Sequence, residues 1–227
     1  MNLRNIVKNP TFQRGLCRLY KYSSSECRDA SGNTPDVGTM RERDLVRALI
    51  YNGLSVTRDF EVVEGSRADC IIEGHKVSIK HYTTSTKKQE CGNKNFKLTW
   101  TADKDKATCD MMKIVKNGVI DDMIIVKLNV TLSTVTVFFI SAETLNKLIK
   151  QHAWHIKLFF NLEPVFDLHR VFNCKTSTND RGIEFNSRFI QEFYKNCEWS
   201  ETFKGDFIGD PRDADVRRDK MLIDLCS

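Results

Sequence analysis

The chain reads as an α/β protein, a mixed β-sheet flanked by helices. Three observations carry this. A capped helix opens at Thr39-Met40-Arg41-Glu42 and stops at Asn52-Gly53. A β-hairpin spans Ala68 to Lys80, with Gly74-His75 at its turn. Two β-branched, apolar strands, Met123–Val130 and Thr134–Ile140, are followed by Ser141, which caps a helix running to about His152. Helices and strands in this alternation pack as layers.

In chain order, residues 1 to 22 are basic and partly amphipathic, with a helix expected from Thr11 to Tyr20. Ser23 to Gly38 is rich in Ser, Gly, Asp and Pro and reads as a loop. In the helix from Thr39, a buried stripe of Leu45, Val46, Leu49 and Ile50 is expected. Glu42 lies on that stripe one turn earlier. It completes the capping box, and it can equally aim a carboxylate at the sheet. Ser55 to Val63 reads as a strand with Val56, Phe60 and Val62 apolar, which turns Glu61 to the opposite face.

Gly at the first central position of a two-residue hairpin predicts a type II′ turn. That turn pairs Glu73 with Lys76, Ile71 with Ser78, and Asp69 with Lys80. Cys70, Ile72, Val77 and Ile79 then share the buried face, and Asp69, Ser78 and Lys80 share the other. On geometry alone, an opposed Asp–Lys pair can be an ordinary cross-strand salt bridge.

Beyond the hairpin, His81 to Lys97 is polar and basic and reads as a loop containing Lys87, Lys88, Lys94 and Lys97. Phe96 to Thr101 alternates as a short strand, and Ala102 to Asn117 reads as a helix ending at Asn117-Gly118. After Pro164 the character changes. Asn173 to Arg188 is polar, with Arg181-Gly182 in a turn, Phe189 to Tyr194 reads as helical, and the densely charged Gly205 to Ser227 reads as a docked or mobile tail. The chain is expected to form one domain over 1–227, with a core at about 39–152 and an appendage at 153–227.

Composition narrows the function classes. The 227 residues carry 35 basic and 30 acidic side chains, a net charge of +5 that leans only weakly towards a polyanionic partner. No apolar run reaches the ~20 residues of a membrane span, and Met1 to Tyr20 has no signal-peptide pattern. The eight cysteines form no C-x-x-C pair and read as free thiols in a reducing, cytoplasmic compartment. His152, His155, His169 and Cys174 match no zinc-ligand framework well. There is no Gly-rich P-loop and no Ser/His/Asp triad spacing, which argues against an ATPase and a triad hydrolase.

The hairpin resembles the core of the PD-(D/E)XK nuclease superfamily, to which most Type II restriction endonucleases belong. The carrying residues are Ala68-Asp69 and Ser78-Ile79-Lys80, within a region of roughly 40 to 140. Ala68 stands where the pattern has Pro, and Ser78 where it has the second carboxylate. The literal Pro35-Asp36 is a decoy, since no strand surrounds it.

The resemblance implies a restriction-endonuclease-like fold and Mg²⁺-dependent cleavage of double-stranded DNA, with a homodimer as one possible assembly. It implies Asp69 and the carbonyl of Ile79 as metal ligands, Lys80 beside the attacking water, and Ser78 as a weaker polar neighbour. Glu42, or else Glu61, would supply the missing carboxylate. The lysines at 87, 88, 94 and 97 are expected to grip phosphates. Asn179, Arg181, Asn186 and Arg188 are expected to read bases. A structure-specific repair or junction nuclease, and a DNA-binding module with a decayed nuclease core, are the alternatives.

Overall fold

The computed structural model describes residues 2–29, 37–58, 68–84, 96–99, 112–160, 168–176 and 182–208. Its centre is a six-stranded mixed sheet in the order β1-β2-β3-β5-β6-β10. The strands are β1 (Val56–Thr57), β2 (Cys70–Ile72), β3 (His75–Thr84), β5 (Asp122–Asn129), β6 (Thr134–Ile140) and β10 (Trp199–Lys204). β3 and β5 run parallel, and the other neighbours are antiparallel. A second sheet, in the order β4-β9-β7-β8, contains β4 (Phe96–Thr99), β7 (Ile156–Phe160), β8 (Asn173–Thr176) and β9 (Gly182–Phe185).

The two strands expected to be strongest are β5 and β6, and β5 is central. Side chains alternate across a strand, and here both faces are covered. Ile124, Val126 and Leu128 enter one core, while Met123 and Ile125 enter the other. Burial on both faces explains why β5 reads as a continuous apolar run from Met123 to Val126 rather than as alternation.

Helices α1 (Leu3–Lys8), α2 (Pro10–Asp29) and α3 (Val37–Tyr51) cover the first face. Pro10 starts α2, where a missing N–H costs nothing, and Asn9 Oδ1 accepts from Thr11 N–H. Phe12, Leu16, Leu19 and Tyr20 form its fully buried stripe at helical spacing. Helix α2 continues to Asp29 instead of giving way to a loop at Ser23. Ser23 is buried, and its hydroxyl donates to Asp44 of α3. A tertiary contact thus outweighs the local loop signal.

Thr39 lies inside α3 rather than at its cap. The stop signal holds: Gly53 sits at φ 82°, Leu54 N–H returns to the Leu49 carbonyl, and Gly53 N–H to that of Ile50. Leu45, Val46 and Leu49 are buried as expected, but Ile50 is exposed.

The other face carries a short helix α4 at 112–117, α5 (Ala142–Gln151) and α6 (Ser187–Asn196). Ser141 caps α5 by accepting from Thr144 N–H. The polar segment from Asn173 is not a surface loop throughout. It supplies β8 and β9, and Ile183 and Phe185 of β9 are buried. Asn186, grouped by sequence with base-reading side chains, caps α6 by accepting from the Arg188 and Phe189 N–H groups. Strands β7 and β10 have no sequence-level counterpart in the expectations.

The hairpin turn is also different. Cys70 pairs with Val77, Ile71 with Lys76, and Ile72 with His75. Glu73 and Gly74 are therefore the central residues, at φ 48° and 87°, the sign that a type I′ turn requires. The pairing is displaced by two positions from the expected one. A two-residue displacement keeps the faces, so Cys70, Ile72, Val77 and Ile79 remain in the core. Asp69 is thereby moved from opposite Lys80 to beside Ser78.

Two outcomes follow. Gly74→Ala should cost about 1 kcal/mol in chemical denaturation, because the left-handed backbone disfavours a Cβ while no atom lies within 4 Å of it. Asn186→Ala should lower stability by about 1 kcal/mol through loss of the cap.

Candidate active site

Asp69 stands where β2 begins, and its backbone N–H donates to the Val77 carbonyl at 2.8 Å. β2 pairs with β3 no further than Val77. Beyond it, no described strand covers that edge of β3. The carboxylate of Asp69 takes the place of the next ladder partner: its Oδ2 accepts the Ile79 N–H at 2.6 Å and the Ser78 hydroxyl at 3.3 Å. Charge-assisted bonds of this kind are stronger than neutral ones. In a strand, the N–H and C=O of one residue leave on the same edge. The Ile79 carbonyl therefore points to the same edge, beside Asp69.

Lys80 lies on the opposite face of β3 from Ile79. Its Nζ is 3.8 Å from Asp69 Oδ2 and 3.9 Å from Glu42 Oε1. All three side chains are about one-quarter exposed, at 25%, 28% and 23% for Lys80, Asp69 and Glu42. An ion pair this open is worth only ~0–1 kcal/mol, so stability does not account for two carboxylates around one ammonium. Asp69 Oδ1 accepts no hydrogen bond from the described residues.

The structure therefore brings together Glu42, Asp69, Ser78, Ile79 and Lys80. Helix α3 delivers Glu42, and the hairpin delivers the other four. Ser78 is buried, and its hydroxyl is directed at Asp69. Glu61 lies outside the described residues, as do Lys87, Lys88, Lys94, Asn179 and Arg181. Lys97 lies on β4 and pairs in register with Glu184. Arg188, in the first turn of α6, is exposed. Among the described residues, no three or more His, Cys, Asp or Glu side chains form a metal-holding group. The oxygens that could hold a cation here are those of Asp69, Glu42 and the Ile79 carbonyl.

A second set of residues, unnoticed in the sequence, lies directly under this cluster. β3 continues through Thr84 rather than ending at Lys80, so His81 points into the first core. Tyr20 of α2 places its hydroxyl 2.7 Å from His81 Nε2. Arg41, adjacent to Glu42, donates to Thr83 Oγ1 at 3.1 Å. Burial, with Arg41 and Lys80 nearby, pushes the His81 imidazole down to about 3. Burial likewise raises the Tyr20 phenol well above its usual value, with Asp44 adding to the effect. Strand alternation after Lys80 was the available signal, but it needs the strand to extend past Lys80.

His81 gives a pH dependence of known sign. Its folded pKa lies below the unfolded one, so the unfolded chain binds the proton more readily. Stability is full above about 6.5 and falls as pH drops towards 3, by up to ~1.4 kcal/mol per pH unit. Denaturation between pH 6.5 and 5, above the usual carboxylate range, should show this decline, and His81→Gln should flatten it.

No protein-family model matches the chain, and no curated protein matches it in sequence. The solved structure of a restriction endonuclease in complex with substrate DNA is similar, with a TM-score of 0.57 and 22% identity over 92% of this chain and 89% of that one. The mixed sheet flanked by helices is thus a restriction-endonuclease-like fold.

Proposed function

We propose that the chain is a Mg²⁺-dependent endonuclease that hydrolyses phosphodiester bonds of double-stranded DNA at specific sequences, in the manner of a Type II restriction enzyme. The observation that carries this reading is the convergence of Asp69, Glu42 and Lys80 beside β3, at the edge that no described strand covers. The similar solved endonuclease holds its substrate DNA on the same fold, which favours duplex DNA as the partner.

The donor set suits a hard divalent cation. Mg²⁺ takes oxygen ligands, retains several waters and needs only one or two carboxylates. Asp69, Glu42 and the Ile79 carbonyl would hold it; Glu61 is the alternative carboxylate. When bound, the cation would neutralise phosphate charge and lower the pKa of a water.

The chain's own residues supply the rest. The Ile79 N–H and Ser78 hydroxyl hold Asp69 Oδ2, so Oδ1 is the oxygen that would bind a cation. Ser78 thus acts on Asp69 rather than as a ligand in its own right. Lys80 Nζ, held between the two carboxylates, orients the attacking water and offsets the negative charge that develops on the phosphoryl oxygens. Phosphate gripping is assigned to Lys87, Lys88, Lys94 and Lys97, and base reading to Asn179, Arg181 and Arg188. A homodimer would present two such sites to the two strands.

A second reading has one observation in its favour. Ser78 occupies the position of a carboxylate and is buried, as in a nuclease core that has kept DNA binding and lost cleavage.

The test is digestion of a plasmid of known sequence with and without Mg²⁺. Discrete fragments are expected only with the metal. Asp69→Ala and Lys80→Ala should each reduce the rate by several orders of magnitude, each tenfold step being about 1.4 kcal/mol, with DNA binding retained. Glu42→Gln should impair cleavage more than Glu61→Gln. Nicking that depends on DNA structure rather than sequence would favour a repair-type enzyme. Binding without any cleavage would favour the decayed module.

A further inference from the structure

The chain neighbours of two site residues meet beneath the site. Arg41 precedes Glu42 on α3, and His81 follows Lys80 on β3. Both contact Tyr20 of α2. The Arg41 guanidinium lies 6.0 Å from the centroid of the Tyr20 ring. The Tyr20 and His81 rings meet edge-on at 5.4 Å, with the hydroxyl bonded to Nε2 at 2.7 Å. Tyr20 is wholly buried.

We propose that Tyr20 is a positioning residue: from α2 it ties Arg41 to His81 and so holds Glu42 and Lys80 at contact distance. The inference rests on the reading of Glu42 and Lys80 as active-site groups.

The physical argument concerns what sets the spacing of α3 from β3. No backbone ladder joins a helix to a strand, and apolar packing between Leu45, Leu49, Val77 and Ile79 has no preferred direction. Hydrogen bonds do. The Tyr20–His81 and Arg41–Thr83 bonds cross the helix–strand boundary in a part-buried setting. There, each broken bond leaves a costly unsatisfied group. His81 Nδ1 is buried with no partner among the described residues, so Nε2 is its anchored atom. The Lys80–Glu42 contact at 3.9 Å is too weak to hold two flexible side chains by itself.

Tyr20→Phe keeps the ring and its contact with Arg41 and removes only the hydroxyl. Three properties are measured on the full chain: Mg²⁺-dependent plasmid cleavage, Mn²⁺ binding by calorimetry without DNA, and the thermal midpoint. The variant should lose kcat by roughly ten- to a hundredfold, the scale of a ~1 Å misplacement. KM for DNA should be unchanged, and Mn²⁺ should bind more weakly. His81→Gln can still accept from the Tyr20 hydroxyl and should retain most of the activity and Mn²⁺ affinity, whereas His81→Leu should match Tyr20→Phe.

Wild-type kcat and Mn²⁺ affinity in Tyr20→Phe overturn the proposal, as does His81→Gln being no better than His81→Leu. If Tyr20→Phe does not fold, the two His81 variants decide. If wild type cleaves no DNA yet binds Mn²⁺, the nuclease reading fails while the Mn²⁺ comparison still decides the positioning role. A wild type that neither cleaves nor binds Mn²⁺ overturns both.

Discussion

The bond from Ile79 N–H to the Asp69 carboxylate is the contact on which the site depends. β2 is three residues long and stops pairing at Val77. Without a substitute, the next backbone donor on that edge of β3 would be left unmatched, at a cost of about 1–3 kcal/mol if buried. Asp69 supplies the match through its side chain at 2.6 Å. One oxygen thus finishes the sheet, and the other accepts no hydrogen bond from the described residues. The Ile79 carbonyl, Lys80 and Glu42 are arranged around that oxygen pair, so ladder termination and site construction are the same event.

Rigidity behind this edge comes from β5 and β6. Their side chains enter two separate cores, one under α1, α2 and α3 and one beneath α5, α6 and the second sheet. A one-residue slip would exchange the side chains of the two cores, so packing on both faces opposes it. β3 runs parallel to β5 in continuous register from Val77 to Thr84, so Ile79 and Lys80 inherit the placement of a central, largely buried strand. The N-terminal helices belong to the same construction. Phe12, Leu16 and Tyr20 lie in the core that backs the hairpin, although sequence patterning begins the core near residue 39.

Electrostatics divide along the same boundary. On the open side, Lys80, Asp69 and Glu42 remain partly exposed to water. On the core side, burial outweighs pairing. His81 is kept neutral, and the Cys70 thiol is pushed up to about 12, chiefly by desolvation. A neutral ring behind Lys80 adds no second positive charge to the site. Asp44, by contrast, keeps its buried carboxylate supplied by the Ser23 hydroxyl and Arg47.

The sequence by itself determined the elements whose signals are local. β5, β6, the Ser141 cap, the Gly53 stop and the buried face of the hairpin all follow from periodicity and capping chemistry, which act over a few residues. It also made Asp69, Ile79, Lys80 and Glu42 candidates, through the resemblance of Ala68-Asp69 and Ser78-Ile79-Lys80 to a nuclease core, since hairpin spacing alone fits an ordinary salt bridge equally well. The register could not be read in the same way. Gly74 satisfies either turn type, and both pairings bury Cys70, Ile72, Val77 and Ile79; what accompanies the observed one are contacts from outside the two strands' own pattern, the Glu73 N–H bond to the Ser55 carbonyl and the Asp69 side-chain bond to the Ile79 N–H. Likewise, Ser23, Tyr20, Arg41 and His81 carry no local mark of their partners. Those partners lie 21 to 61 residues away in the chain, and a contact over that separation exists only once the tertiary fold has brought α2, α3 and β3 together.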